Sequence, residues 1–331
     1  MSSTKEAVSI GLSAAILAVE GEHPSVLVVA HGAQDALPFG PFDPAHHRTL
    51  ESGLRKWVGE QTNFELGYTE QLYTFGDKGR HLPSPNVGPG SGARVVSVGY
   101  LALTRQVREA PDTQWRGWYH YFPWEDWRDK KPEMIERVIL PALKKFVKDA
   151  PDGETAALRR ERMNVCFGDS WDEERVLERY ELLYEAGLVE EFYRDNGQEM
   201  KQDPRKSAAK SSSQIHSLGT PMLFDHRRIL ATAIARLRGK LKYRPVVFEL
   251  MAPTFTLLEL QRAVEALAGL RLHKQNFRRL VAEQGLVEGI GEFSTPARGR
   301  PAELFRFRRG VLRERPAPGM RVGARRAKAA V

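Results

Sequence analysis

The chain has 331 residues, 41% hydrophobic and 28% charged, a globular balance that excludes wholesale disorder and is long enough for two or three domains. No run approaches the roughly 18 uncharged apolar residues of a membrane span, and a single cysteine, Cys166, excludes an internal disulfide and a multi-cysteine zinc site. The formal net charge of +8 sits wholly in the last quarter: residues 243–331 hold 17 Lys+Arg against 8 Asp+Glu, whereas 1–242 hold 33 against 34.

Residues 8–19 and 25–30 are β-rich runs around the turn Glu20-Gly21-Glu22-His23-Pro24, a hairpin signal. Glu6 ahead of the first run and Glu20 and Glu22 behind it suit a strand and not a signal peptide, so a cytoplasmic protein is expected. The Pro/Gly-dense LPFGPFDPAHH (37–47) reads as a loop, with His46 and His47 as solvated residues, because adjacent histidines seldom point at one ion. Leu50, Leu54, Trp57 and Val58 predict a helix over 48–61. Strands follow at 68–76 and 94–103, separated by a long Pro/Gly/Ser loop at 82–92. The aromatic segment 115–127 carries Trp115, Trp118, Trp124 and Trp127, read as packing under the sheet.

From 132 to 192 the pattern turns helical, most plainly over Glu133–Lys148 and Asp172–Tyr184. The polar, Ser/Lys-rich 197–217 reads as a linker. A helix at about 224–242, with Asp225 expected to cap its first turn, ends the neutral body. Cys166 is expected to be buried or inert.

The basic quarter is the most explicit part. Thr256 and Glu259 form the S/T-x-x-E signature of a helix start, Leu257, Leu260, Val264 and Leu267 make its buried stripe, and Gly269 offers a left-handed stop. A short turn leads to a second helix whose Phe277, Leu280 and Val281 face inward and whose Lys274, Gln275, Asn276, Arg278 and Arg279 are available to a partner. Two strand-like runs, Leu286–Glu288 and LFRFRR, flank a turn bearing Arg298 and Arg300. Helix, tight turn, basic helix and basic-tipped ribbon make a winged helix-turn-helix pattern. A helix of this kind fits a major groove, where Gln and Arg read base edges while other cations meet phosphates. Without the tail, 243–310 still holds 11 basic against 7 acidic residues, so the excess is not confined to a solvated terminus.

The N-terminal order of strands, Pro/Gly loop, helix and strands resembles a Nudix domain, an α/β/α sandwich with a mixed sheet; the likeness rests on LPFGPFDP, LRKWVGEQTNF and RVVSVGYLAL. Nudix hydrolases carry the box G-x5-E-x7-R-E-U-x-E-E-x-G-U, in which U is apolar and the carboxylates hold Mg²⁺ against a pyrophosphate. Laying Thr62-Asn63-Phe64 on the end of the box puts Glu60 on the first paired glutamate and Gln61 on the second. Lys56 then falls on the arginine, Trp57 on the neighbouring glutamate and Arg48 on the upstream one; placing Arg55 on the arginine still keeps Glu60 alone. Glu51 and Glu60 are nine residues apart, about 180° around a helix, and cannot share an ion. The domain therefore reads as a Nudix fold without Nudix hydrolysis, with no catalytic residues, metal or cofactor expected.

Joined to the winged helix, the chain resembles the Nudix-related transcriptional regulators of NAD metabolism, the NrtR type. The likeness is closest over 222–308, in MLFDHRRILATAIARLRGKLKYRPVVFEL, FTLLELQRAVEALAGLRLHKQNFRRLVAEQGLVE and GRPAELFRF, and looser over 8–105. The resemblance implies an α+β protein: a Nudix-like domain (1–124), a helical insertion with linker (125–218), a closing helix (219–242), a winged helix (243–310) and a basic tail expected to be disordered (311–331). It implies a repressor of NAD-biosynthesis genes that binds an operator duplex, as a homodimer, and senses ADP-ribose or a related nucleotide. A dinucleotide needs a cation and aromatic faces. The segment Tyr73–Arg80 supplies them, with Arg80 for the phosphates, Phe75 or Tyr73 for the base, and Asp77 beside them. Arg278 and Arg279 with Lys274, Gln275, Asn276, Arg298 and Arg300 are the expected DNA contacts. The competing class is a pyrophosphatase acting on ADP-ribose or another nucleotide-sugar; a third is a protein-interaction scaffold, which would lack salt-dependent DNA affinity.

Overall fold

A computed structural model describes residues 8–77, 94–105, 107–108, 110–196, 218–294 and 301–320. Its centre is a mixed sheet built by β1 (Val8–Glu20), β2 (His23–His31), β3 (Gln34–Ala36), β4 (Phe39–Pro41), β5 (Tyr68–Phe75), β6 (Arg94–Leu103) and β7 (Thr113–Gly117). The main path runs β3-β2-β1-β6-β5, with β4 added to β1 and β7 to β2. The expected hairpin is present, antiparallel from Leu17↔Val26 to Glu20↔His23. On its other edge β1 runs parallel to β6 from Val8↔Arg94 to Leu17↔Leu103.

Alternation along β1 explains the layers. Leu12, Ala14 and Ile16 pack with Leu54 and Val58 of α1 (Leu50–Thr62) on one face. Ala15 and Leu17 pack with Ile229, Leu230, Ile234 and Leu237 of the long helix on the other. That gives the α/β/α sandwich. Trp118 and Trp124 are fully buried in the second core, with Trp127 packed against it. Three readings change. Residues 39–41, taken as loop, form the edge strand β4, because Trp57 covers Gly40 (a Cβ there would meet its ring at 2.2 Å) and donates its indole N–H to the Pro41 carbonyl at 2.8 Å. His47 is buried, its Nδ1 accepting the Asp43 N–H at 3.1 Å. Residues 311–320 are not a free tail: α9 (Val311–Glu314) precedes a return in which Met320, buried, donates its N–H to the Leu241 carbonyl at 2.6 Å.

Helices α2 (Leu140–Lys148), α3 (Gly153–Phe167), α4 (Val176–Glu185) and α5 (Glu190–Asp195) follow β7. Pro141 lacks the N–H that an α-helix would bond to the Arg137 carbonyl, and a π-turn over Ile135–Ile139 precedes it. The sequence pattern does not single out α3, because Leu158 and Val165 are exposed and break its apolar stripe; the Asp152 side chain caps it through Thr155 N at 2.7 Å. α6 (His226–Leu241) closes the sandwich. Asp225 stands at its N-cap position but makes no side-chain cap; its carboxylate takes Arg228 at 3.3 Å instead.

The C-terminal unit has β8 (Phe255–Thr256), α7 (Leu257–Ala268), α8 (Lys274–Gln284), β9 (Val287–Phe293) and β10 (Glu303–Phe307), with a small sheet ordered β8-β10-β9. Thr256 and Glu259 make both halves of the capping box, at 3.2 and 2.7 Å, and Gly269 is left-handed at φ 73°. Among the described residues no helix is long and apolar enough to cross a membrane.

Candidate functional site

β1 follows β2 only down to Leu17; beyond that point the strands part and β4 takes β1 over Gly11–Ser13. The wedge between them is a cavity of about 670 Å³. β1 and β6 floor it at Ser9–Ser13, Val95 and Ser97, and α1 contributes Trp57, Glu60 and Gln61. Its aromatic wall is Phe39, edge-on to Phe224 at 5.6 Å and 5.0 Å from the His226 ring. His226 is buried at the start of α6. The Leu37 N–H donates to its Nδ1 at 3.1 Å, which assigns the proton of the neutral ring to Nε2, 3.5 Å from Ser13 Oγ. The volume and the mix of rings with a few polar groups suit a small-molecule ligand. Two carboxylates, Glu60 and Asp112, also line it, and among the described lining residues there is no Lys or Arg.

Gln61 does not point at a ligand with a free amide. Its Nε2 donates to the Phe39 carbonyl at 2.6 Å and its Oε1 accepts the Phe39 N–H at 3.1 Å, so the side chain is stitched into β4. Glu51 turns the other way, to Arg55 Nε at 3.0 Å and Thr69 Oγ1 at 2.9 Å, and the Arg55 and Thr69 hydrogen bonds hold its carboxyl below the usual glutamate range. Of the acids on α1, Glu60 is the one that lines the cavity, 4.0 Å from Lys56. Among the described residues no group of three or more His, Cys, Asp or Glu is placed to hold a metal ion.

The residues first assigned to the nucleotide lie elsewhere. Phe75 is core, 4% exposed beneath the Arg228 guanidinium, which is 5.1 Å from its ring centroid. Asp77 pairs with Arg228, and Tyr73 is 56% exposed on the edge strand β5. None of the three lines the cavity. Arg80 lies outside the described residues. Phe39, Trp57 and His226, which do line the cavity, are not marked as site residues in the sequence; the local hint is Phe39-Gly40-Pro41 facing a tryptophan one helix later.

On the C-terminal unit, Phe277 and Val281 seat α8 in the core, and Lys274, Gln275, Asn276, Arg278 and Arg279 all stand exposed as expected. Arg279 shares its charge with Glu283 at 3.8 Å, and Arg306 with Glu288 across the wing at 2.7 Å. Arg298 and Arg300 lie outside the described residues.

Fold and site together define a class: a Nudix-like sandwich with a winged helix-turn-helix behind it. Residues 247–307 match the NrtR DNA-binding winged helix domain. The chain is 43% identical over 91 residues to the ADPR responsive transcriptional repressor NtrR of Acinetobacter baylyi, a segment of 28% of this chain and 36% of that protein. In fold it is similar to Shewanella oneidensis NrtR solved with a 27mer DNA, at a TM-score of 0.50 and 20% identity, over 91% of this chain and 94% of the other. A second structure of that protein gives a TM-score of 0.50 and 19% identity, over 91% and 95%. Residues 247–307 thus match an NrtR winged helix, and the fold of the chain is similar to that of the Shewanella protein.

Proposed function

We propose that the protein is a DNA-binding transcriptional regulator of NAD metabolism, a repressor whose Nudix-like domain binds ADP-ribose or a related nucleotide. The observation that carries this reading is the union, in one packed chain, of an exposed cationic helix in an NrtR winged helix with a cavity of nucleotide size. α8 fits a major groove, with Gln275, Asn276, Arg278 and Arg279 toward base edges and Lys274 toward phosphate; Arg298 and Arg300 serve the adjacent backbone. The name of the Acinetobacter relative, 43% identical over 91 residues, supports the same role. Operators read as paired half-sites favour a homodimer, and a regulator of this kind works in the cytoplasm.

The cavity binds and does not hydrolyse. Mg²⁺ in phosphate chemistry is held by one or two carboxylates and the substrate's own oxygens. Of the two carboxylates lining the cavity only Glu60 comes from α1, because Glu51 faces away and Gln61 is spent on β4, so the helix offers no paired acids to that ion. Rings of Phe39 and Phe224 take the base, the carboxylates of Glu60 and Asp112 accept from ribose hydroxyls, and Arg80 keeps its role as the phosphate cation. Selecting duplexes from a random library with the pure protein, then titrating ADP-ribose into the selected complex, tests the reading. No selected duplex, or a complex indifferent to ADP-ribose, removes it. Turnover of ADP-ribose with Mg²⁺ at the rate of ordinary hydrolases restores the enzyme.

A further inference from the structure

Between the cavity and α8 lies a buried polar joint. An α-helix leaves its last carbonyls without partners, and three acceptors at the end of α7 are met by donors from outside the winged helix. Tyr119 Oη donates to the Ala266 carbonyl at 2.7 Å, Arg238 Nε to that of Leu267 at 2.8 Å, and the Trp127 N–H to that of Gly269 at 2.8 Å. Arg238 is fixed in turn by Glu125, 2.6 Å away, which also takes Arg179 through two bonds of 2.5 and 2.9 Å; all three side chains are buried. Arg179 belongs to α4 of the insertion and lies 3.7 Å from the Trp171 ring centroid, and Trp171 packs against Trp127 at a tilt of 33°, ring centroids 4.3 Å apart.

One carboxylate between two guanidiniums leaves a positive charge inside the joint, and the negative end of the α7 dipole sits against it. Pulling the winged helix away would expose that imbalance, so the docked position is strongly defined. The same elements reach the cavity. Arg238 follows His226 by twelve residues on α6, about 18 Å along the helix, and His226 forms part of the cavity wall. β1 and β2 line the cavity at one end, and at the other their turn presents Glu22 to Arg262 at 3.2 Å and Arg271 at 2.9 Å, the latter in the turn before α8.

We propose that the inserted helices serve to build this joint, and that the joint carries occupancy of the cavity to the recognition helix. The inference rests on the proposed reading of the two sites. Arg179, Tyr119 and Glu22 are positioning residues, which set α8 without touching either ligand. Coupling is a ratio of affinities and can be lost while both affinities survive.

The test uses the full chain, ADP-ribose and the selected duplex. Arg179→Met removes the insertion's hold on Glu125, and the double variant Tyr119→Phe/Glu22→Gln loosens the dock without emptying the core. In each, calorimetric affinity for ADP-ribose should stay within about threefold of the parent, while the factor by which ADP-ribose changes duplex affinity falls toward 1. Hydrogen exchange of α7 and α8 amides should respond to ADP-ribose in the parent and no longer respond in the variants. If Arg179→Met does not fold, the double variant decides alone. Folded variants with the parent's coupling factor and exchange response overturn the joint. A parent that binds both ligands without coupling them overturns the joint while leaving two separate binding sites, and a parent that binds neither overturns the functional reading first.

Discussion

Gln61→Glu restores by one atom the acid that the Nudix pattern expects, and should weaken the protein without giving it hydrolysis. The amide makes two bonds to one residue of β4, giving a hydrogen to the Phe39 carbonyl at 2.6 Å and accepting one from its N–H at 3.1 Å. A carboxylate can keep the second and must lose the first, setting an anionic oxygen against a carbonyl oxygen. A lost hydrogen bond costs about 0.5–1.5 kcal/mol and a stranded buried acceptor about 1–3; the site is only half-buried, so about 1–2 kcal/mol is expected at pH 8. Facing a carbonyl, the new carboxyl is better protonated, so its folded pKa rises above the unfolded value of about 4.3. The deficit is therefore full above the folded pKa and fades as pH falls toward the unfolded one. Urea unfolding of variant and parent at pH 8 and pH 5 measures both effects. Equal stability at pH 8, or a deficit that grows toward pH 5, refutes the claim that Gln61 pins β4.

Phe39→Ala should weaken ADP-ribose binding by about 1–3 kcal/mol, the range for a base on an aromatic face; unchanged calorimetric affinity would put the base elsewhere. Alanine at Lys274 should lower the slope of log affinity against log salt by about 1, and alanine at Arg278 or Arg279 should cost about 1–3 kcal/mol at a contacted base edge. Burial pushes the Cys166 thiol up to about 11, leaving almost no thiolate at pH 8. Ellman's reagent should therefore find no thiol in the native protein and one per chain in denaturant; a fast native reaction would contradict the burial. Gly269→Ala combines a left-handed backbone, about 1–2 kcal/mol for an L-residue, with a Cβ at 2.4 Å from the Glu125 carbonyl oxygen. It should lower the unfolding midpoint clearly, and an unshifted midpoint would show that the joint yields.

Local chemistry carried much of the architecture into the sequence. The Thr256–Glu259 box, the Glu20–Pro24 turn and the apolar stripe of α1 depend on neighbours within a few residues, and all formed where the sequence implies. The cavity did not announce itself, because it arises where β1 leaves β2 for β4, a register set across the sheet. His226 meets the Leu37 N–H across 189 residues, and no local pattern marks that pair. Parity misled at β5: Phe75 looks available for a base, but the pleat sends it under Arg228 of α6. Arginine hides in the same way. Arg179, Arg227 and Arg238 are fully buried, which is rare for arginine, each with a carboxylate or carbonyls that the sequence places far away.

On the proposed reading, binding and hydrolysis compete for one side chain. A carboxylate at position 61 that held a metal would have to face the substrate as an anion, turned away from the β4 backbone. The amide instead closes β4 onto α1, and a closed β4 stands Phe39 against Phe224 and His226. Those rings are the wall a nucleotide base would meet. Giving the acid back at 61 alone frees β4 and lets the wall move, while Glu51 still points at Arg55 and Thr69 on the far side of the helix. Regaining a metal cage therefore requires several simultaneous changes along α1, and each single change on that route loosens the aromatic wall or strands a charge before any ion can bind.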